Sequence, residues 1–430
     1  MSLKKIAEYL FLFFLFLLPF QTVFLLREPF IGGEKWQYGT IGVYAIDILL
    51  GVILGLALVR WLQGIKYGTA ERVLILLVAW AGLSFFWASD QELALYFFIK
   101  LLLVAVAFFF VRSTDIDLKK VVFVLLVAGV IQSSIGVVQF LSQEAVGSSW
   151  LGMSTHEAFQ AGSSVLKLDS GRFLRAYGTF PHPNMLGGFL GVILVMGSMY
   201  YVSGIKYEKS WKCIREIAVM LSGLLVIFLG LLLTFSRTAW LGVVLGIIAI
   251  GVGSFWQKEW EVRVRFLKIV VALGVVSLIF GSILFQQIFP RFDTATIEGE
   301  GSVTERLQSF QDAKELIVAH PFFGVGAGNF TAEIIQLQSE RPAWSIQPAH
   351  NVFVLILAEL GLVGLLLFVG FLVFSFLPIL QSKIVNHDSA ILIALLVLIP
   401  SLFLDHWLWT SHFGLLFFFF LAGLATRREE

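Results

Sequence analysis

The chain has 430 residues, of which 58% are hydrophobic, 15% aromatic and only 14% charged, and its mean hydropathy is +0.89. These values lie far outside the soluble globular range and exclude an ordinary water-exposed domain. A net charge of +1 argues against a nucleic-acid partner, and the lone cysteine, Cys213, excludes an internal disulfide framework and a cysteine-cluster metal site.

From the N-terminus, "MSLKKIAEYLFLFFLFLLPF" mimics a signal peptide, but no small-x-small cleavage site follows and the apolar run continues to Leu26. It reads as an uncleaved first span. A membrane crossing needs about 20 mostly apolar residues. That rule predicts an all-α polytopic membrane protein, one membrane domain over 1–430, with twelve spans near 6–26, 41–62, 72–88, 93–111, 119–141, 183–203, 214–235, 237–255, 267–287, 350–377, 389–404 and 407–425. The seventh and eighth nearly touch, so "TFSRT" is a tight turn; the last two meet around Asp405 and His406.

With the N-terminus inside, most lysines and arginines fall on short inward segments. These include Lys4, Lys5, Arg60, Lys66, Arg72, Arg112, Lys119, Lys120, Lys206, Lys209, Lys212, Arg215, Lys258, Arg263, Arg265, Lys268, Lys383, Arg427 and Arg428. The positive-inside rule then puts both termini in the cytoplasm. Two long outward loops remain, about 142–182 and 288–349, and loops of that length are usually functional or disordered. The second contains "SVTERLQSFQDAKELIVAHP", which predicts a helix at about 303–319, started by a Ser302–Glu305 capping box and ended by His320-Pro321. Leu307, Phe310, Ala313 and Leu316 recur at helical spacing, so one face of it is expected to pack.

Several outward polar residues are out of place in so apolar a chain. Arg237, in "LLLTFSRTAWLG", is a permanent cation between two apolar runs. It reads either as an interfacial anchor or as a ligand for an anion, with Ser236 beside it as a hydroxyl donor. "GRFLRAYGTFPHPNMLGGFLG" opens the sixth span: a rigid re-entry turn explains Pro181, Pro183 and the capping Asn184, but not the cations Arg172 and Arg175. "FFGVGAGNF" has phosphate-loop glycines but no following Lys-Ser/Thr and no strand before it, so tight turns are the better reading. His350, with Asn351, stands where the long loop re-enters the membrane, on the same side as Arg237. Lys100, Glu359, Asp405, His406 and His412 lie in or near spans; lining the cavity is open to some of them, but interhelical or interfacial polar contacts are the better reading for several. The acidic residues Asp293, Glu298, Glu300, Glu305 and Asp312 form no convincing metal set.

Arginines with a histidine, and no carboxylate pair or metal cluster, suit departure of a diphosphate without metal. The guanidinium fork holds phosphate oxygens, and histidine accepts the proton of an attacking hydroxyl. Beside a bilayer, the diphosphate would hang from a lipid.

In that order, "RAYGTFPHPNMLGGFLG", "LLLTFSRTAWLG", "RLQSFQDAKELIVAHPFFGVGAGNF" and "AHNVFVLILAELGLVGLL" resemble the O-antigen ligase and O-antigen polymerase superfamily, best over 170–370. The resemblance implies a membrane glycosyltransferase with a GT-C-like fold, needing neither metal nor cofactor. It takes glycan from undecaprenyl diphosphate at the outer face of the cytoplasmic membrane and passes it to lipid A core, a growing glycan or a protein. By motif, Arg237 and Arg306 match the arginines that hold the diphosphate and His350 the histidine that activates the acceptor hydroxyl; for Arg306 the resemblance is the sole ground. Arg175, Arg172, His182, Asn184, Ser236 and Asn351 are the further candidates for holding diphosphate or glycan. His182 between two prolines departs from the family pattern, where a smaller or amide residue is expected. A lipid-linked oligosaccharide transporter is the competing layout, against which stand the absence of half-to-half similarity and the gathering of polar residues at the outer edge.

Overall fold

The computed structural model describes residues 3–61, 68–113, 116–160, 162–168, 171–204, 211–257, 259–288, 297–380 and 389–426. Lys66, Lys206, Lys209, Lys258, Asp293, Lys383, Arg427 and Arg428 lie outside them.

The chain opens with α1 (Leu3–Leu17). Here the expected first span is corrected: Pro19 stops the helix, and the apolar residues beyond it form strand β1 (Val23–Arg27), which pairs antiparallel with β4 (Ile41–Tyr44). A short inner hairpin, β2 (Phe30–Ile31) and β3 (Glu34–Lys35), fills the gap. The second expected span likewise begins as β4 and turns helical at α2 (Ala45–Trp61).

Then come α3 (Thr69–Leu83), α4 (Gln91–Ser113) and α5 (Leu118–Ser142), the last capped by Asp117, which accepts from the Lys119 amide at 2.9 Å. The segment after α5 carries two small hairpins, β5 (Glu144–Ala145) with β6 (His156–Glu157) and β7 (Val165–Leu168) with β8 (Gly171–Leu174). Helix α6 (Pro183–Met199) has proline in its first turn, where a missing N–H costs nothing. It is the central helix: nearly every residue is buried, between α5, α7 (Trp211–Leu233), α8 (Arg237–Trp256) and, from the far end of the chain, α14 (Ser389–Leu396).

After α9 (Trp260–Ile283) and the single turn α10 (Phe285–Ile288), the long loop carries α11 (Ile297–Ala319) and α12 (Phe330–Leu337). The expected helix is present and ends just before His320-Pro321, but it starts at Ile297, which puts Ser302 inside it. Ser302 is therefore no cap. One face does pack, but not quite the expected one: Ala313 and Leu316 are buried together with the polar Ser309 and Asp312, whereas Leu307 and Phe310 are exposed.

The tenth expected span is present over Val352–Phe376, but it is not one continuous helix. Helix α13 (Val352–Leu380) is broken at Gly361, whose φ of 67° and ψ of −170° are not helical. The break is filled by the "FFGVGAGNF" turns. Val325 and Gly326 donate to the carbonyls of Ala358 and Glu359 at 3.0 and 2.8 Å, and Leu362 donates to Pro321 at 2.9 Å. The last two expected spans are each split, into α14 and α15 (Ile399–Leu404), then α16 (Trp407–Thr410) and α17 (His412–Ala425).

Among the described residues, eight helices are long and apolar enough to cross a membrane, and shorter apolar helices run over Ala45–Gly55, Ala390–Leu404 and His412–Ala425. The molecule is an all-helical bundle with short strands only in its connections. Aromatic rings fill its centre; Phe180, Phe189, Phe413 and Phe417 meet with centroids 4.7–5.8 Å apart.

Candidate functional site

The start of α6, the turn between α7 and α8, the start of α13 and the junction of α15 with α16 meet at one end of the bundle. Glycine lets two of them touch: a Cβ on Gly187 would stand 2.9 Å from the Ala239 Cβ and 3.0 Å from the Ser236 Cβ.

Three side chains bind these elements into a relay. Arg175, 4% exposed, donates Nε to the Thr234 carbonyl (2.7 Å), Nη1 to Ser164 Oγ (2.7 Å) and Nη2 to Asn184 Oδ1 (2.8 Å). Asn184 passes the interaction on, donating Nδ2 to Asp405 Oδ2 at 2.8 Å. With a cation on one side and an anion on the other, the Asn184 amide has a single sensible orientation. Asp405, itself 6% exposed, takes the backbone N–H of His406 on its other oxygen at 2.8 Å. A buried positive charge and a buried negative charge are thus joined through a neutral amide.

Histidines surround the carboxylate. His182 precedes Pro183 and caps α6, its Nδ1 accepting from the Asn184 amide at 3.1 Å. His406 stands edge-on to His350, centroids 5.0 Å apart at 80°, and to Tyr38 at 5.8 Å; its Nδ1 is 2.9 Å from Thr410 Oγ1. His350 lies just outside α13, and its Nδ1 is buried with no hydrogen-bond partner among the described residues. Such an orphan marks a place where folding alone has not been satisfied.

Electrostatics follow from this packing. Burial pushes His350 below its ordinary value; the Asp405 charge pulls it back up, and Arg306, on α11, pushes it down again. His406 is driven by burial and His350 down to about 4, although Asp405 opposes the shift. Burial alone would raise Asp405, but His406, His350 and His182 outweigh it and hold the carboxyl below its usual range. Burial raises the Tyr38 hydroxyl, and Asp405 adds to the shift. At neutral pH the recess therefore holds neutral imidazoles around one carboxylate. Among the described residues no group of three or more His, Cys, Asp or Glu is placed to hold a metal ion.

The remaining expected residues distribute as follows. Arg237 is half-buried as the first residue of α8, directly after Ser236. Ser236 is buried and caps α8, with its Oγ accepting from the Ala239 amide at 3.5 Å and 3.2 Å from Thr238 Oγ1. Asn351 caps α13 through Val354 (3.0 Å) and ties it to α15 through the Phe403 carbonyl (3.1 Å). Arg172 is turned to the carbonyls of Ala158 and Gln160, holding the outward hairpins together. Lys100 lies elsewhere, over the Tyr96 ring at 4.8 Å, and His412 pairs with Asp47 at 2.7 Å. Glu359 accepts from Trp409 Nε1 (3.0 Å) and from the backbone of Gly328 and Phe330. The glycine-rich turns thus serve a carboxylate of the chain's own, which disposes of the phosphate-loop reading. Asp405 and His406, which the sequence does not single out from the other polar residues near spans, are at the hub. The available signal was an adjacent acid and histidine interrupting an apolar run on the outward side.

Fold and site define an integral membrane protein of helical bundle type, with a carboxylate- and histidine-rich recess where helix ends converge. Residues 222–369 match the O-antigen ligase family, and over that stretch the chain carries a domain of this family. The match includes Arg237, Arg306 and His350, bears out the superfamily resemblance there, and supports an O-antigen ligase-like or polymerase-like enzyme; the "PHPN" turn lies before it. A search of curated proteins found no match.

Proposed function

We propose that the protein is a metal-independent glycosyltransferase of twelve-span, GT-C-like layout in the cytoplasmic membrane. In this reading it moves a glycan from undecaprenyl diphosphate to an acceptor hydroxyl at the outer face. The acceptor oxygen attacks the anomeric carbon, the bond from that carbon to the diphosphate breaks, and the hydroxyl proton passes to the neutral His350 imidazole. Undecaprenyl diphosphate leaves as an anion, its charge met by Arg237 and Arg306. Arg175 and Asn184 act as positioning residues, since the donors of the relay go to protein acceptors.

The observation that carries the reading is His350: a neutral imidazole beside Asp405 and Arg306, with a buried nitrogen lacking a partner among the described residues. General-base catalysis is worth about 10²–10⁴ in rate. Purified protein in nanodiscs, given an undecaprenyl-diphosphate glycan and candidate acceptors, should form a new glycosidic bond. His350→Ala should lose about that factor. Arg237→Lys should also fail, because an ammonium cannot reproduce the bidentate fork. Transfer by His350→Ala at the wild-type rate would sink the general-base role.

A further inference from the structure

Beside the recess lies a separate cavity of about 440 Å³ on the outward loop, with no part in the chemistry above. Helix α11 lines it with Glu305 and Gln308, and the chain after α12 with Gln338, Arg341, Trp344 and Gln347. Its walls are prebuilt. Arg341 donates to both oxygens of the buried Asp312 (3.0 and 2.9 Å), to Gln338 Oε1 (2.8 Å) and to the Ser345 carbonyl (2.9 Å). Asp312 also fixes Gln308, which donates to it at 3.0 Å.

Trp344 sits on a short turn whose neighbour Ala343 is buried, yet its own residue is 65% exposed. A tryptophan that merely anchors at a membrane interface would share its hollow with apolar side chains. Here the hollow is walled by amides, hydroxyls, a cation already neutralised by Asp312 and one carboxylate, Glu305, so it offers hydrogen bonds and no free positive charge to an anion. That chemistry fits a neutral polyhydroxylated ring better than a phosphate: hydroxyls meet planar amides, and the C–H face of a pyranose meets an indole. Position adds to chemistry. Gln308 follows Arg306 by two residues on one helix, and Gln347 precedes His350 by three.

We propose that this cavity is a saccharide subsite, holding a few neutral sugar units of the glycan substrate, with Trp344 stacking on a ring and Gln308 and Gln347 bonding its hydroxyls. The proposal rests on the glycosyltransferase reading and deepens it. The test uses the full chain in nanodiscs and, as probe, short oligosaccharides released by mild acid from the producing cell's own envelope polysaccharide, free of lipid and phosphate. Saturation-transfer NMR should report binding to the wild type and to His350→Ala, at least tenfold weaker binding to Trp344→Ala, and retained binding to Trp344→Phe. In transfer assays Trp344→Ala should raise KM about tenfold with kcat within twofold. Varying lipid-linked donor and acceptor separately assigns the subsite to whichever substrate's KM moves. Equal binding by wild type and Trp344→Ala, or no binding by either, overturns the subsite, as does an unchanged KM. Trp344-dependent binding by a protein that catalyses no transfer keeps the subsite and overturns the transferase reading. Gln308→Ala, on a different element, should weaken binding in the same direction and guards against a local defect of the Trp344 turn.

Discussion

Asp405 owes its ionised state to its neighbours. A carboxyl this buried would by itself favour the neutral form; the imidazoles of His406, His350 and His182, as they take up protons, and the hydrogen bond from Asn184 pull it the other way. The coupling runs both ways, since Asp405 raises His350 while burial lowers it. A base works when neutral, and the His350 pKa lies below 6.5, so transfer should hold as pH falls through 6.5 and decline only at more acid pH. Asp405→Asn keeps an acceptor for Asn184 but removes the charge that raises His350. The acid limb of the rate profile should therefore move to still lower pH. A limb that stays put, or moves up, would show that Asp405 does not set the base. These residues also mark how far the sequence could be read. Arg237 and His350 stand out as candidates in the sequence because each is a polar residue at an apolar edge. Asp405 does not, because its meaning depends on Asn184, which lies 221 positions away along the chain.

At the scale of elements, the sequence predicts apolar segments well and their interruptions poorly. Hydropathy is a sum over a window, and it does not register a single residue that leaves the helical region. Gly361 is such a residue: its φ of 67° suits glycine, and a Cβ there would lie 2.2 Å from the Phe322 carbonyl. Gly361→Ala should thus destabilise the protein by about 2 kcal/mol or more. Gly274→Ala is the control, since a Cβ there meets nothing within 4 Å on α9. Thermal unfolding in detergent should give a clearly lowered midpoint for the first and an unchanged or slightly raised one for the second, since alanine is the better helix former; equal midpoints would mean that the break is not held as described. The same blindness explains α1, where the apolar residues beyond Pro19 pair as a strand.

For the whole molecule, we propose from the charge bias of the short segments that both termini lie inside, in which case the recess faces out. The lone cysteine makes this testable. Cys213 lies in the first turn of α7, at the end that the bias assigns to the cytoplasm. A membrane-impermeant maleimide should label it in inverted vesicles and not in intact spheroplasts. With Cys213→Ser as background, Ser149→Cys, at an exposed position of the first outward loop, should label in intact spheroplasts. The opposite pattern would invert the protein and put the recess on the wrong face for a lipid-linked donor presented outside.

The seam between the long loop and α13 limits how a bulky substrate gets in. Where the helix breaks, the carbonyls of Ala358 and Glu359 lose their helical partners and are met by Val325 and Gly326 instead. Lifting the loop there would strand peptide groups in apolar surroundings, at a cost of several kcal/mol. That half of the loop is consequently a fixed wall, moving only as α13 moves. A lid, if the catalytic cycle has one, must hinge on the other side of the recess, and cross-linking Val325 to Ala358 should leave turnover intact.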